Sequence, residues 1–349
     1  MAGGNYELLP MPEVDVFLIG APKAGTTWLS YVLDQHDEIN LSDPKEPNII
    51  ASHKGTFIRT DEEPDWPHFE KHFNGQGLKL DASVHTFACP LSPSRIRNHL
   101  PNAKFILCLR EPVARSFSHW NMVLNTKEAS ANNADWSTFE KAWKDARLSD
   151  DSLYGSSMNR WLKEFDLDKF VIIDSDRLKS NPISALREIE NFLEIQNHEY
   201  NLDESRHSNS AASRRPITFL GKSARVIFSI IPDIIKLPIV KMLQKRDFNI
   251  YNLPILSKRG ISHKLEDTHY KICGEELIEE LEILQKLKEM NIEMPTILLS
   301  GMNEAEKIKQ LKNEKLRTYF NDGNCSYIYC KCSTKNSTKK KTKQTSVYC

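Results

Sequence analysis

The feature that most constrains the fold is an apolar segment that leads through a glycine-bounded loop into a helix near the start of the chain. Residues 14–19 read VDVFLI, a short and nearly continuous apolar run that is typical of a strand covered on both faces. The loop Gly20-Ala-Pro-Lys-Ala-Gly25 follows, and residues 26–35 then carry apolar side chains at helical spacing. A strand, a glycine-rich loop and a helix in this order indicate an α/β fold.

Strand and helix patterns continue to alternate along the body of the chain. Further strands are predicted over residues 78–82, 103–109 and 169–174. Helices are predicted after Pro112 to about Leu124 and over residues 136–147, 156–165, 181–193 and 275–290. This alternation predicts a central, mostly parallel sheet with helices on both faces. The fold class is therefore α/β, with a P-loop-like, three-layer architecture.

The charges of the chain are unevenly distributed. Basic and acidic side chains number 47 each, but residues 301–349 hold eleven basic and four acidic ones, so the body is mildly acidic. Phosphate contacts supply most of the affinity of nucleic-acid binders, and an acidic body therefore argues against a nucleic-acid partner. We expect one domain over residues 13–299, followed by a low-complexity, basic and Cys/Lys-rich tail over 300–349 that is flexible.

The chain carries no pattern typical of export or of a membrane span. Residues 1–15 lack a basic region followed by an apolar core, so we expect no signal peptide. The longest apolar stretch, residues 224–243, contains too many charged side chains for a spanning helix. The cysteines of the body lie too far apart in sequence for a disulfide framework. We therefore expect a cytoplasmic protein.

The loop from Gly20 to Thr27 has the composition of a phosphate-binding loop. Glycine permits tight turns that direct successive N–H groups at an anion, and the positive end of the next helix assists. Nucleotide triphosphatases place a lysine directly after the second glycine, in the pattern G-x-x-x-x-G-K-[ST]. Here the glycine spacing is kept, but the lysine is Lys23, inside the loop. A lysine at this position reaches over a bound phosphate toward the group attached to it.

Two separate segments resemble one enzyme family. The segment VDVFLIGAPKAGTTWLSYVL resembles the 5′-phosphosulfate loop of sulfotransferases that use 3′-phosphoadenosine 5′-phosphosulfate (PAPS). The segment FILCLREPVARSFSH resembles the 3′-phosphate site of that family, with Arg110 at the end of a strand and Ser118 eight residues later. The guanidinium fork of Arg110 suits a doubly charged phosphate. The resemblance, closest to bacterial and heparan-sulfate-type members, extends over residues 14–295.

The resemblance implies a reaction and a set of site residues. A sulfuryl group would pass in line from PAPS to a hydroxyl or amine of a carbohydrate, lipid or small molecule, without a metal ion. Lys23 would stabilise the charge that develops on the leaving group. The co-substrate would be bound by Lys23, Ala24, Gly25, Thr26, Thr27, Trp28, Arg110, Ser118, Arg214 and Arg215. The last two belong to a basic segment that would fold over the nucleotide.

The group that takes the proton of the acceptor remains open between two residues. One branch of the family uses a glutamate in a K-E-P-like segment, which favours Glu46 in Lys45-Glu46-Pro47 as the general base. The other branch uses a histidine after a later strand, and His85 is the corresponding alternative. Heparan-type enzymes carry a lysine just after the second strand, but residues 80–83 read LDAS. This departure argues against a glycosaminoglycan acceptor.

Two other functions fit parts of the pattern. A P-loop kinase or NTPase would share the glycine spacing, although Lys23 is misplaced for it. A catalytically silent nucleotide-binding protein would keep the fold without the reaction. Residues 224–243 form either a lid over the acceptor cleft or an ordinary pair of core helices.

Overall fold

A computed structural model describes residues 13–126, 128–202 and 261–289. Within these residues, five parallel strands form the central sheet. The described residues contain seven strands, which are β1 (Val16–Gly20), β2 (Ile39–Leu41), β3 (His53–Lys54), β4 (Ile58–Arg59), β5 (Leu78–Asp81), β6 (Lys104–Leu109) and β7 (Phe170–Asp174). The sheet has the order β2-β5-β1-β6-β7, and all of its strands pair in parallel. Strands β3 and β4 pair with each other as an antiparallel hairpin.

Helices connect the strands and cover the sheet. They are α1 (Thr26–Leu33), α2 (Trp66–Phe69), α3 (Ser92–His99), α4 (Pro112–Leu124), α5 (Glu128–Ala131), α6 (Phe139–Trp143), α7 (Ala146–Ser149), α8 (Tyr154–Trp161), α9 (Ser175–Ser180), α10 (Pro182–Leu193) and α11 (Asp267–Glu289). Parallel neighbours need crossover connections, and α4 to α8 supply the one between β6 and β7. The predicted α/β class with a parallel sheet between helices is confirmed.

The two central strands are buried on both faces. Every residue of β1 is buried, and in β6 only Lys104 at the edge is partly exposed. Because successive strand residues point to opposite faces, unbroken burial means that helices cover the sheet on both sides. On one face, the ring of Phe105 lies 4.8 Å from those of Trp161 and Phe170. These contacts form the centre of the core.

A second apolar cluster lies around α4. It joins α4 to α6 and α11 through the buried side chains of Val113, Phe117, Trp120, Val123, Phe139, Ala142, Trp143, Cys273 and Leu277. Side-chain amides of α4 also bind the chain just before α11. Asn125 exchanges two hydrogen bonds with the backbone of Ile261, and Asn121 does the same with His263. Helix α4 is thereby fixed on both its apolar and its polar side.

The predicted elements differ from the structure in a few places. The single helix predicted over residues 136–147 is wrong, because the chain forms α6 and α7 there instead. Thr138 caps the first of these helices by accepting a hydrogen bond from the Lys141 N–H, and Asp145 caps the second. Two capping side chains within eight residues start two helices rather than one.

Several predictions lie outside the described residues. They concern Arg214 and Arg215, the apolar stretch over residues 224–243 and the tail over residues 300–349. The division into a domain and a tail therefore stays a prediction.

Replacing Phe105 by Ala tests the position of the core. Phe105 is fully buried between α8 and β7, so we expect a loss of about 3–5 kcal/mol in the free energy of unfolding, measured by denaturant titration. The matched control is Ile183→Ala on α10, where the side chain is 40% exposed and a change within about 0.5 kcal/mol is expected. Equal losses in the two variants would contradict this assignment of the core.

Candidate functional site

A cavity of about 790 Å³ opens at the edge of the sheet where the parallel strands end. This edge is where open α/β sheets bind their ligands. The walls come from the loop after β1, the β3–β4 hairpin, the turn after β5, the face of α4 and the start of α9. The predicted site residues that line it are Lys23, Gly25, Thr26, Thr27, Trp28, Glu46, His85, Arg110 and Ser118. The structure thus brings both predicted motifs and both candidate bases to one cavity.

The loop between β1 and α1 is tightly wound. Lys23 has φ 72° and Gly25 has φ 93°, a region that costs little only for glycine. The Ala24 N–H donates to the carbonyl oxygen of Ala21 at 3.1 Å, and Ala24 is 1% exposed. The Ala24 N–H is therefore engaged within the turn of this loop, and the binding of the co-substrate by Ala24 stays a prediction. The first N–H groups of α1 begin at Thr26 and have no partner within the helix, which is the arrangement at which helices in general bind anions.

Contacts across the sheet join the loop to the second motif. Arg110, directly after β6, donates from Nη1 to the backbone oxygen of Lys23 at 3.3 Å. The hydroxyl of Tyr154 donates to the backbone oxygen of Arg110 at 2.8 Å. Glu111 caps α4 by accepting from the N–H groups of its first turn. Arg110 is therefore held at both its side chain and its backbone, while Ser118 lies two turns along α4 and faces the same cavity.

The segment that carries Glu46 is tied to the end of β5. The ammonium of Lys45 lies 2.6 Å from Oε1 of Glu46 and also donates to the Ala82 oxygen at 3.2 Å. The Asn48 N–H donates to the Ser83 hydroxyl oxygen at 3.0 Å. Lys45 therefore brings an ammonium group to the turn after β5, where the sequence itself has no lysine. Glu46 keeps 32% of its side chain exposed, in the cavity.

Asp81, the last residue of β5, lies behind this ion pair. It is 2% exposed, and its Oδ1 accepts a hydrogen bond from the Ser83 N–H at 2.7 Å. Burial raises the pKa of Asp81 to about 6, although the hydrogen bonds from Ser83 act in the opposite direction. The negative charge of Glu46 raises this pKa further. The wall behind Glu46 thus contains a carboxyl group that titrates close to neutral pH.

His85 has a buried carboxylate behind it. Its Nδ1 lies 3.3 Å from Oδ2 of Asp151, which is itself 2% exposed. Burial alone would raise the pKa of Asp151, but the neighbouring His85 and the charge of Arg115 outweigh it and hold the pKa below its usual value. The ionised carboxylate therefore lies behind the Nδ1 side of the His85 ring, and the ring itself lines the cavity.

Three lining or supporting residues were missed by the sequence reasoning. Thr56 lies in the turn of the β3–β4 hairpin, and its hydroxyl oxygen is 2.8 Å from Nε2 of His119. Asp151 lies behind His85 as described above. His119 ends the segment quoted for the second motif, but its partner Thr56 lies between two strands of only two residues each, which carry no periodicity. In the sequence, Asp151 is separated from His85 by α3, β6 and much of the crossover between β6 and β7. No local pattern could have joined these residues.

None of the helices in the described residues has the length and apolar character needed to cross a membrane. Within the same residues, no group of three or more His, Cys, Asp or Glu side chains has an arrangement that could hold a metal ion.

Comparisons with known sequences agree with the motifs. A family model described as "Sulfotransferase domain" matches residues 13–223. Heparan sulfate glucosamine 3-O-sulfotransferase 5 of Mus musculus is 28% identical over 192 residues, which cover 51% of this chain and 52% of that protein. The bifunctional heparan sulfate N-deacetylase/N-sulfotransferase 4 of Mus musculus is 26% identical over 200 residues, 54% of this chain and 23% of that protein. The chain spans about half or less of the length of these curated relatives.

Two solved structures of sulfotransferases are similar to part of the chain. The crystal structure of a sulfotransferase from Alicyclobacillus acidocaldarius is similar over 55% of this chain and 85% of the bacterial chain, with 20% identity and a TM-score of 0.46. The crystal structure of mouse sulfotransferase SULT7A1 complexed with PAP is similar over 54% of this chain and 61% of the mouse chain, with 18% identity and a TM-score of 0.39.

The pH dependence of stability tests the environment of Asp81. Because burial raises the folded-state pKa from 3.8 to about 6, the folded protein holds a proton here that the unfolded chain releases. The stabilisation is complete below about pH 4 and is lost as the pH rises through about 6, a change of roughly 3 kcal/mol. Asp81→Asn keeps the oxygen that accepts from Ser83 and lacks this titration. Denaturant titrations from pH 4 to pH 7 should therefore show the wild type losing stability relative to the variant, whereas parallel curves would contradict the assignment.

Proposed function

The chain belongs to the sulfotransferase domain family, a family of enzymes, and on that premise we propose that it transfers a sulfuryl group from PAPS to a hydroxyl or amine of an acceptor molecule. The observation that carries this proposal is the meeting of Lys23 and Arg110 at one cavity, through the hydrogen bond between the Arg110 side chain and the Lys23 backbone. The two residues belong to motifs 87 positions apart in sequence. Each motif suits a different phosphate of the same nucleotide.

The donor would bind across the two motifs. The start of α1, with Gly25, Thr26 and Thr27, would bind the 5′-phosphate through N–H groups and threonine hydroxyls. Arg110 and Ser118 would bind the 3′-phosphate as a charged fork and a neutral donor. Trp28, which also lines the cavity, would contact the nucleotide. Arg214 and Arg215 remain proposed contacts of the nucleotide on the sequence resemblance alone.

Lys23 would act on the group being transferred. Sulfuryl transfer depends on positioning and on the stabilisation of charge, as phosphoryl transfer does. The Lys23 ammonium would approach the bridging oxygen, where negative charge develops as the S–O bond breaks. A protein cation suffices for this role, and the proposed reaction uses no metal ion.

Glu46 is the proposed proton acceptor, and His85 is the second candidate. Glu46 has an exposed carboxylate in the cavity, and its ion pair with Lys45 fixes its position. The observation that favours His85 is the Asp151 carboxylate 3.3 Å from its Nδ1, which would stabilise the ring once it has taken a proton at Nε2. Glu46 and His85 lie outside the loop that carries Lys23 in the sequence. In the folded chain, all three residues line the same cavity. Kinetics of the two variants separate the candidates.

The acceptor is proposed only by class. The curated relatives are named for heparan sulfate, which supports a carbohydrate acceptor, while a lipid or small molecule fits the same chemistry. The alternatives to this function are a P-loop kinase or NTPase and a nucleotide-binding protein without activity. Lys23 lies inside the loop rather than after its second glycine, which disfavours the first alternative. A cytoplasmic location and the lack of a nucleic-acid partner stay predictions.

Turnover of PAPS against a panel of acceptors tests the proposed reaction. We expect the wild type to release adenosine 3′,5′-bisphosphate (PAP) with a carbohydrate, phenol or amine acceptor, in buffer that contains a metal chelator. Lys23→Met should lower kcat by about 10²–10³-fold, because the charge on the leaving group loses its partner. Glu46→Gln should lower kcat by about 10²–10⁴-fold if it takes the proton.

His85→Gln serves as the matched comparison for the base. A larger loss in His85→Gln than in Glu46→Gln would transfer the role to His85. Activity that requires Mg²⁺ and ATP, or PAPS binding without turnover by any acceptor, would contradict the proposed function in favour of its alternatives.

A further inference from the structure

A row of polar contacts leads from the core behind α4 to the wall of the cavity. Arg115 is fully buried, and its Nη1 lies 3.3 Å from Nδ1 of His119. Nε2 of the same ring lies 2.8 Å from the hydroxyl oxygen of Thr56. Thr56 is half-buried and lines the cavity. The three residues therefore connect a buried cation to the surface that a ligand would meet.

Arg115 fixes the direction of the hydrogen bonds in this row. A guanidinium has only donors, so Nδ1 of His119 must accept. A neutral imidazole that accepts at Nδ1 carries its proton on Nε2, and Nε2 therefore donates to Thr56. Burial, and then the charge of Arg115, lower the pKa of His119 well below its usual value, which keeps the ring neutral. Oδ2 of Asp151, at 3.9 Å from Nδ1, is too distant to form a competing hydrogen bond.

The direction of the row leaves the Thr56 hydroxyl as a donor toward the cavity. A threonine hydroxyl has one hydrogen to donate and two lone pairs that accept. His119 occupies one lone pair of the Thr56 oxygen. The hydroxyl hydrogen is therefore free to point at a molecule in the cavity, and the donating His119 polarises it in that direction.

The hairpin holds Thr56 in place for this role. Nη1 of Arg59 donates to the backbone oxygens of Gly55 and Thr56, at 3.2 and 3.1 Å. The next residue, Phe57, is buried with its ring 4.8 Å from that of Trp136. A donor on a turn anchored on both sides needs little reorganisation when a ligand binds, which is what a charge-stabilising group requires.

The donor lies close to the loop lysine. Nζ of Lys23 is 3.6 Å from the sulfur of Met122, and Met122 follows His119 by three residues on α4. Residues three apart are neighbours on a helix face, so Lys23 and the His119–Thr56 contact lie beside each other. The charge of Lys23 also contributes to the lowered pKa of His119, which agrees with this proximity. Two donors on one side of the cavity suit a group that carries several negatively charged oxygens.

We propose that Thr56 is a catalytic residue that donates its hydroxyl hydrogen to an oxygen of the sulfuryl group during transfer, with His119 as its positioning residue. This inference rests on the proposed function. In the step, the acceptor atom forms a bond to sulfur while the bond from sulfur to the bridging oxygen of PAPS breaks and its electron pair leaves with PAP. The acceptor proton passes to the general base. Thr56 keeps its own proton throughout and stabilises the charge on the sulfuryl oxygens.

Binding of PAPS and PAP to Thr56 variants tests the proposal, because the two nucleotides differ only by the sulfuryl group. Calorimetry on the full chain without acceptor should show Thr56→Val binding PAPS about tenfold more weakly than the wild type, as expected for one hydrogen bond to a charged group. PAP affinity should stay unchanged. Thr56→Ser, which keeps the hydroxyl, should bind both nucleotides as the wild type does.

Other outcomes would overturn the inference. An equal loss for PAPS and PAP would mean that Thr56 serves the structure or the nucleotide, and no loss for either would mean that it makes no contact. A raised acceptor KM with unchanged kcat would assign Thr56 to the acceptor instead. If the wild type bound neither nucleotide, the proposed function would fail together with this inference, and that result is distinguishable from a failure of Thr56 alone.

The positioning role of His119 has its own readout. His119→Gln can still accept from Arg115 and donate to Thr56, whereas His119→Leu can do neither. We expect the Leu variant to lose the preference for PAPS over PAP and the Gln variant to recover part of it, at an unchanged Thr56. Equal preferences in the two variants, at matched unfolding midpoints, would overturn the role of His119.

Discussion

The parallel pairing of β1 with β6 is the constraint on which the site depends. Phe17 pairs with Phe105 and Leu18 with Ile106, so the loop after one strand and the arginine after the other end at the same edge. The hydrogen bond from Arg110 to the Lys23 backbone closes the gap between them. A one-residue slip of this register would turn each buried side chain to the opposite face. The core thus fixes the distance between the two motifs that we propose bind the phosphates of the nucleotide.

Charged groups behind the cavity wall add a second constraint. Arg115, Asp151 and His119 are all buried, and the opposite charges of Arg115 and Asp151 lie 3.8 Å apart, which offsets part of the cost of burying each of them. The contact of Arg115 with His119 fixes the direction of the hydrogen bond that reaches the cavity at Thr56. A buried network of this kind determines which atoms of the cavity wall donate and which accept. The cavity therefore combines the positively charged side chains of Lys23 and Arg110 with a wall in which the hydrogen bond at Thr56 has a fixed direction.

The sequence predicted the parts of the fold that repeat a simple pattern. β1, β6 and the loop with Lys23 were predicted because continuous apolar runs and glycine spacing are local signals. The hairpin around Thr56 was missed because two-residue strands carry no periodicity, and Asp151 was missed because its contact with His85 depends on the path of the whole crossover. The split between α6 and α7 depends on two capping side chains, which a helical pattern alone does not reveal. Contacts between distant segments need the folded chain.

Calorimetric binding of PAP to the wild type and to Arg110→Ala, with AMP as the control nucleotide, tests the central claim most directly. AMP lacks the 3′-phosphate, so the difference between the two nucleotides measures that contact alone. The account predicts that the wild type binds PAP more tightly than AMP and that Arg110→Ala removes this difference while its AMP affinity is unchanged. Equal affinities for PAP and AMP in the wild type, or a preference for ATP with Mg²⁺, would contradict it.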